Sequence, residues 1–166
     1  MLRKAVNRMT DVFGMIGIVL IIGLCCLVII EIINRNFLYL GMDWTIEMTE
    51  YMLAFITFCG AGWLLKADGH IKFDLITERL SPKYKRASNI LSSSIGLLIT
   101  AILTIFGFYK VADLISQGIV TETVLELPQA LLIGIVPVGL FIASLQFLFR
   151  MIDSFNEHPA ERKGEN

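Results

Sequence analysis

The chain has 166 residues, of which 55% are hydrophobic and 17% are charged, and its formal net charge is −1. Soluble domains have about 25% charged residues, so this composition excludes an ordinary soluble domain, and it excludes disorder, which needs low hydrophobicity. The charge balance also excludes a nucleic-acid-binding protein, which would carry a basic face. The composition therefore predicts a small integral membrane protein with a single domain over residues 1–166.

Four long segments of the chain contain no Asp, Glu, Lys or Arg. These segments are residues 12–30, 51–65, 87–109 and 127–149. A helix rises about 1.5 Å per residue, so a hydrocarbon core of about 30 Å needs about 20 residues. With their interfacial turns, the segments predict an all-α protein with four spans, at about 12–33, 44–66, 86–110 and 127–150. The alternative, that the four segments are buried core helices of a soluble protein, is disfavoured because little polar chain is left to cover them.

The basic residues are distributed unevenly between the two sides of the predicted bundle. Of the 14 Lys and Arg residues, all except Arg35 and Lys110 lie before span 1, after span 4, or in and beside the connector of spans 2 and 3. Basic residues are retained on the cytoplasmic side of a membrane. The distribution predicts that both termini are cytoplasmic, which an even number of spans also allows.

The segments outside the spans differ in character. Residues 71–80 mix apolar with charged side chains and predict a short amphipathic helix on the cytoplasmic face. The outer connector at 111–126 has acidic and apolar residues, and we expect it to continue as a helix or to lie along the interface. It is either a docking surface for an outside partner or a plain connector. Residues 157–166 predict a polar C-terminal tail.

The spans lack the residues that cofactor or metal chemistry would need. The two histidines, His70 and His158, lie outside the spans, so no span offers an axial haem ligand. Cys25, Cys26 and Cys59 lie inside spans without the spacing of a redox pair, and we interpret them as packing residues. No span contains a Ser/His/Asp or Glu/His constellation. The sequence therefore predicts no catalytic residue, no metal site, no cofactor and no enzyme.

Ionisable residues inside a membrane mark transport pathways, and they are sparse in this chain. Glu31 lies near the outer end of span 1, and Glu47 and Glu50 lie on one face in the first turns of span 2. The helix dipole favours carboxylates there, and contact with a basic residue of a partner is the second interpretation. Substrate sites of transporters need broken helices and polar groups at mid-membrane, so the chain is predicted to assist a transporter.

Span 2 and the connector after it contain a spaced motif. Its residues are Trp44, Thr45, Glu47, Gly60, Lys66, His70 and Asp74. A Trp-Thr-x-Glu opening, a glycine in mid-helix, a basic residue and a Gly-His-hydrophobic step before an aspartate resemble the small membrane subunit, of the DctQ type, of tripartite ATP-independent periplasmic (TRAP) transporters. The chain departs from this family at Ile46, where an acidic residue is frequent, and at Glu50, where a basic one is frequent. Charge pairings built on those two positions are not carried over.

The resemblance implies a complex and not a protein that works alone. The large membrane subunit would hold the substrate and sodium sites and move as an elevator, with this chain as part of the static scaffold. A periplasmic binding protein would deliver an organic acid, a carboxylate or a sulfonate, to the outer face. The chain would lie among lipids in the bacterial inner membrane, and nothing in its sequence selects the substrate.

The motif residues are predicted to be partner contacts or structural anchors. Trp44 and Glu47 would form an outer-face pair at the start of span 2. His70 and Asp74, one turn apart if their segment is helical, would fix the cytoplasmic loop.

Two further motif residues lie along span 2. Gly60 is predicted to permit the close approach of another helix, either within the bundle or from a partner. Lys66 is predicted to extend its ammonium group to the inner surface.

The residues alone leave two other classes of membrane protein open. A small four-helix proton-coupled drug antiporter needs a deep carboxylate in span 1, whereas Glu31 is near the membrane edge. An anchor subunit of a respiratory complex would carry intramembrane histidines. A membrane enzyme finds no site in the chain.

Overall fold

The computed structural model describes residues 2–38, 43–68 and 82–156. Within these ranges the chain forms four α-helices, which are α1 (Leu2–Ile33), α2 (Asp43–Asp68), α3 (Pro82–Gln117) and α4 (Gln129–Asn156). A π-helical segment, Asn34–Leu38, continues α1. We call the end of the bundle with the start of α1 and the end of α4 the terminal end. The opposite end, with the connection between α3 and α4, is the loop end.

Some of the predicted features lie outside the described residues. They are the amphipathic helix at 71–80, the tail at 157–166, and the motif residues His70 and Asp74. Their structural roles stay predictions.

All four helices are long and apolar enough to cross a membrane. The qualifying stretches are Arg3–Phe37, Trp44–Ala67, Ser88–Gln117 and Gln129–Phe155. The prediction of an all-α fold with four spanning helices is therefore confirmed. The α3 helix continues through Lys110 to Gln117, and the Asp113 carboxylate accepts hydrogen bonds from both of these side chains. The first part of the outer connector is thus helical, as expected.

Helices α2 and α4 form the middle of the bundle. The α4 helix packs against both α3 and α2, and α1 packs mainly against α2. Glycines bring the backbones together, because a side chain at Gly139 of α4 would collide with the carbonyl group of Phe58 in α2. A Cβ atom at Gly14 of α1 would lie 2.6 Å from the Trp63 ring of α2. Close approach of this kind favours helix association in lipid, where burial of apolar surface gives no advantage.

The surface of the bundle is apolar, whereas its buried positions are partly polar. Val19 of α1 is 67% exposed and Phe106 of α3 is 69% exposed. Thr10, Thr45 and Ser93 are buried among the helices. A soluble domain buries its large apolar side chains, so the reverse distribution suits a surface covered by lipid.

Candidate functional site at the two ends of the bundle

The motif residue Glu47 holds the loop that connects α3 to α4. One carboxylate oxygen accepts a hydrogen bond from the N–H group of Val124 at 2.8 Å, and the other accepts one from Leu125 at 3.2 Å. One turn along α2, the Tyr51 hydroxyl lies 3.3 Å from the Thr123 hydroxyl. Hydrogen bonds from backbone amides to a carboxylate are charge-assisted and stronger than neutral ones. The first turns of α2 therefore fix the tip of this loop.

The loop at 118–128 is also closed on itself. The Thr121 amide donates to the Leu127 carbonyl at 2.9 Å, and the Leu127 amide donates to the Thr121 hydroxyl at 3.0 Å. A bridge pairs Val120 with Pro128. Gly118, with a φ of 62°, turns the chain out of α3, where a side chain would be strained. The ends of the segment are thus held together, as in a compact Ω-type loop.

Trp44 lies at the start of the same helix and has a different environment. Its side chain is 38% exposed, whereas the neighbouring Thr45 is buried. An exposed indole at the end of a spanning helix suits the membrane interface, where amphipathic rings are favoured. Trp44 and Glu47 are therefore close along α2, and of these two residues it is Glu47 that forms hydrogen bonds with the described loop.

The motif residue Lys66 belongs to a polar cluster at the terminal end. Its ammonium group forms an ion pair with Asp11 of α1 and donates to the Asn7 carbonyl at 3.3 Å. The Gln146 amide of α4 donates to the Thr10 hydroxyl at 2.8 Å and to the Asn7 side-chain oxygen at 3.3 Å. This terminal cluster connects three helices through their side chains.

The start of α1 and the end of α4 are joined at the terminal end of the bundle. The guanidinium of Arg3 makes two hydrogen bonds to the Asp153 carboxylate, at 2.9 and 2.5 Å. The same guanidinium lies 5.9 Å from the centre of the Phe149 ring, within the range of a cation–π contact. The start of α1 and the end of α4 therefore lie on the same side of the bundle.

The motif residue Gly60 faces open space. Apart from the adjacent residues and the nearby backbone of α2 itself, a Cβ atom placed there would meet no atom of the described structure within 4 Å. Helices of the bundle make their close approaches at other glycines, including Gly14, Gly62 and Gly139. Within the described residues, Gly60 is therefore not used for packing in the chain's own bundle.

The sequence interpretation missed the partners of the motif residues. Lys66 pairs with Asp11 of α1, a partner that the sequence interpretation did not name. The positions of the two residues could have indicated this pair, since Asp11 precedes the first charge-free segment and Lys66 follows the second. Opposite charges at the matching ends of antiparallel helices indicate a pair. Gln146, a polar amide inside span 4, was the second signal.

Four apolar helices with fixed polar contacts at both ends define a small, multi-span helical membrane protein. Within the described residues no group of His, Cys, Asp and Glu is placed to hold a metal ion. The chain belongs to the DctQ component family of tripartite ATP-independent periplasmic transporters, whose sequence model matches residues 24–157.

A curated relative agrees with this assignment. The ectoine TRAP transporter small permease protein TeaB of Halomonas elongata is 28% identical over 122 residues, which are 74% of this chain. The match covers 63% of the length of that relative. The DctQ family is not known as enzymatic, so the prediction that the chain is not an enzyme is confirmed. The drug antiporter and respiratory anchor are excluded by the family match.

Proposed function

We propose that this subunit supports the sodium-coupled import of an organic acid as the static scaffold of a TRAP transporter. A periplasmic binding protein delivers the acid to the outer face, and the large subunit carries it across the membrane as an elevator. The observation that carries the scaffold role is the set of polar contacts that ties the helices together at both ends.

The contacts of the bundle suit a part that does not move. The terminal cluster connects α1, α2 and α4, and Glu47 connects α2 to the loop between α3 and α4. Transport sites of secondary transporters are formed by discontinuous helices. Each described helix of this chain is continuous from its first to its last residue, although α4 contains Pro137. These features favour a frame over a moving carrier.

The proposed substrate class rests on the family and on the curated relative, since no residue of this chain selects a substrate. The relative from Halomonas elongata is named for ectoine, which bears a carboxylate and so falls within the organic acids. Ectoine is therefore the first compound to test, followed by other carboxylates and by sulfonates.

A reconstituted system tests the function directly. Proteoliposomes with this chain, the large subunit and the binding protein should take up the acid when a sodium gradient is present. Uptake should be lost when this chain is omitted or when potassium replaces sodium, and this chain alone should give none. Full uptake without this chain would contradict the scaffold role, and full uptake without sodium would contradict the coupling.

A crosslink tests whether the scaffold is static. Cysteines at Arg3 and Asp153 can be joined by a short bis-maleimide, because the native side chains are in contact. Locking α1 to α4 should leave the uptake rate unchanged if the bundle does not move. A lock that stops uptake in an assembled complex would show that these helices move during transport.

We also propose that both termini are cytoplasmic in the bacterial inner membrane, because the basic residues concentrate at the terminal end and in the α2–α3 connector. In a background without native cysteines, Glu122→Cys in the 118–128 loop should react with an impermeant maleimide in intact cells. Lys4→Cys should react after permeabilisation alone. The opposite pattern would reverse the orientation.

The motif residues are proposed to act in assembly. Trp44 anchors the outer interface, Glu47 shapes the loop, Lys66 closes the terminal cluster, and His70 with Asp74 fixes the cytoplasmic loop. Glu47→Ala and His70→Ala should each reduce recovery of the assembled complex and its uptake. Wild-type assembly and uptake in both variants would contradict these roles.

A further inference from the structure

One face of α2 is left uncovered by the rest of the bundle. Its residues follow one another at alternating intervals of four and three positions, and we call it the free face of α2. They are Ile46, Glu50, Leu53, Thr57, Gly60 and Leu64. All of these residues are exposed except Gly60, which is half-buried and faces open space. The alternation is the spacing of a helix–helix seam.

The free face differs in composition from the other exposed faces. Exposed positions in the spanning parts of α1 and α3 are dominated by large apolar side chains, such as Val19, Ile22, Ile99 and Phe106. Lipid tails are a suitable environment for such apolar faces. The free face of α2 instead includes a carboxylate and a glycine, neither of which gains from lipid contact, and a Thr57 hydroxyl that donates to the Leu53 carbonyl of the same helix.

Of the residues on the free face, Glu50 is the one for which contact with lipid is least favourable. Its position on α2 is roughly 9 Å further along the helix than Trp44, at 1.5 Å per residue. If Trp44 marks the headgroup level, Glu50 lies about one and a half turns deeper, where the interface gives way to the hydrocarbon. The side chain is exposed, and within the described part of the chain no hydrogen bond or ion pair reaches it. Charged residues at such depth are costly unless they face protein or pair with another group.

Gly60 provides the second feature of a docking face. Because no described atom beyond the local backbone of α2 would lie within 4 Å of a Cβ atom at this position, the glycine leaves a shallow gap in the middle of the free face. A helix from another chain can approach the α2 backbone closely there, as small residues allow in membranes. Leu53 and Leu64 flank the gap and would pack on either side of that helix.

We infer that the free face of α2 docks a membrane helix of the large subunit, and that this helix presents a basic or hydrogen-bond-donating side chain to Glu50. The inference rests on the proposed function, because it takes the large subunit as the partner. Charge complementarity selects the occupant, since an unpaired carboxylate inside the membrane needs a donor.

A second copy of this chain is a poorer occupant. Most homodimers have two-fold symmetry, and a two-fold axis along the membrane normal would place two Glu50 carboxylates at the same depth, facing each other. Like charges repel, and repulsion is strong in a low-dielectric medium. Lipid tails are also poor occupants, because they offer Glu50 no hydrogen-bond donor.

Photocrosslinking in membranes that contain the full complex tests the occupant. Benzoylphenylalanine at Leu53 should form an adduct with the large subunit, and the same group at Ile99 of α3 serves as the lipid-facing control. A Leu53 adduct with a second copy of this chain, or with lipid alone, would overturn the inference. If the large subunit co-purifies with this chain and Leu53 gives no adduct with it, the docking face is wrong while the proposed function stands.

Charge variants test the role of Glu50 in the same complex. Glu50→Leu and Glu50→Lys should lower recovery of the large subunit at least about tenfold, because a buried partner cation would lose its pair. Glu50→Gln, which keeps an acceptor, should cause a smaller loss. The matched control is Glu122→Lys in the loop, which should leave recovery unchanged. Wild-type recovery with Glu50→Leu would overturn the pairing. If no large subunit is recovered even with the wild-type chain, the proposed function itself fails.

Discussion

The two ends of the bundle are fixed by different kinds of contact. At the terminal end, side chains bind side chains of other helices, as with Lys66 and Asp11 or Gln146 and Thr10. At the loop end, the Glu47 carboxylate binds the backbone N–H groups of Val124 and Leu125. The terminal contacts therefore set the positions of helices, whereas the loop-end contact sets the shape of one connector. Substitutions at the terminal end should therefore change the stability of the whole bundle, whereas substitutions at the loop end should change the order of the loop alone.

The largest local effect is expected at the loop end. Glu47→Ala removes the acceptor of two backbone amides and leaves the tip of the 118–128 loop unanchored. Hydrogen exchange at Val124 and Leu125 should become at least roughly tenfold faster, because strong charge-assisted bonds protect them in the native protein. Mass spectrometry of the purified subunit measures this change.

The control for this experiment is Glu50→Ala, because the Glu50 carboxylate lies on the same helix but forms no hydrogen bond with the described loop. Exchange in the loop should stay at the native rate in that variant. Equal exchange in the Glu47 variant and the native chain would show that the Glu47 carboxylate does not hold the loop in solution.

Gln146→Ala at the terminal end should have a smaller effect than Glu47→Ala, and that effect should be on the stability of the whole bundle. The substitution removes two hydrogen bonds and leaves a gap between α1 and α4, so the free energy of unfolding in detergent should fall by about 1–2 kcal/mol. Gln129→Ala on the same helix is the control, since its side chain makes no hydrogen bond within the described residues. Similar stability of the two variants would contradict a structural role for the Gln146 amide.

The smallest effect is expected from the ion pair of Lys66 and Asp11. Their side chains are 29% and 51% exposed, so solvent screens the interaction. A double-mutant cycle with Lys66→Met and Asp11→Asn should give a coupling of about 0.5–1 kcal/mol, which falls as salt is added. A coupling of zero at low salt would show that the pair contributes orientation without stability.

The fold follows from the sequence because a bilayer limits the possible structures. A charge-free stretch of sufficient length has to be a helix in lipid, so the four spanning helices could be predicted from composition. The extension of α1 to Leu2 could not, because Arg3, Asn7 and Asp11 indicate the end of a span when their partners on α2 and α4 are unknown.

The candidate site was predicted in part. The motif identified Glu47 and Lys66, yet the contact between Glu47 and Val124 joins residues 77 positions apart, and no local pattern encodes such a pairing. Gly60 was predicted to permit close approach without a choice between partners. The structure leaves open space at this residue, so its use inside the described bundle is ruled out.

Glu47 holds the loop through two hydrogen bonds to its backbone, which we call the Glu47 clamp. The clamp determines which substitutions the loop tolerates. Val124 and Leu125 contribute their backbone N–H groups to the carboxylate, and neither side chain takes part in those bonds. The loop tip can therefore change its side chains, and with them its surface chemistry, while the backbone trace is kept. Proline is the residue that the clamp forbids at either position, because it has no N–H group to donate.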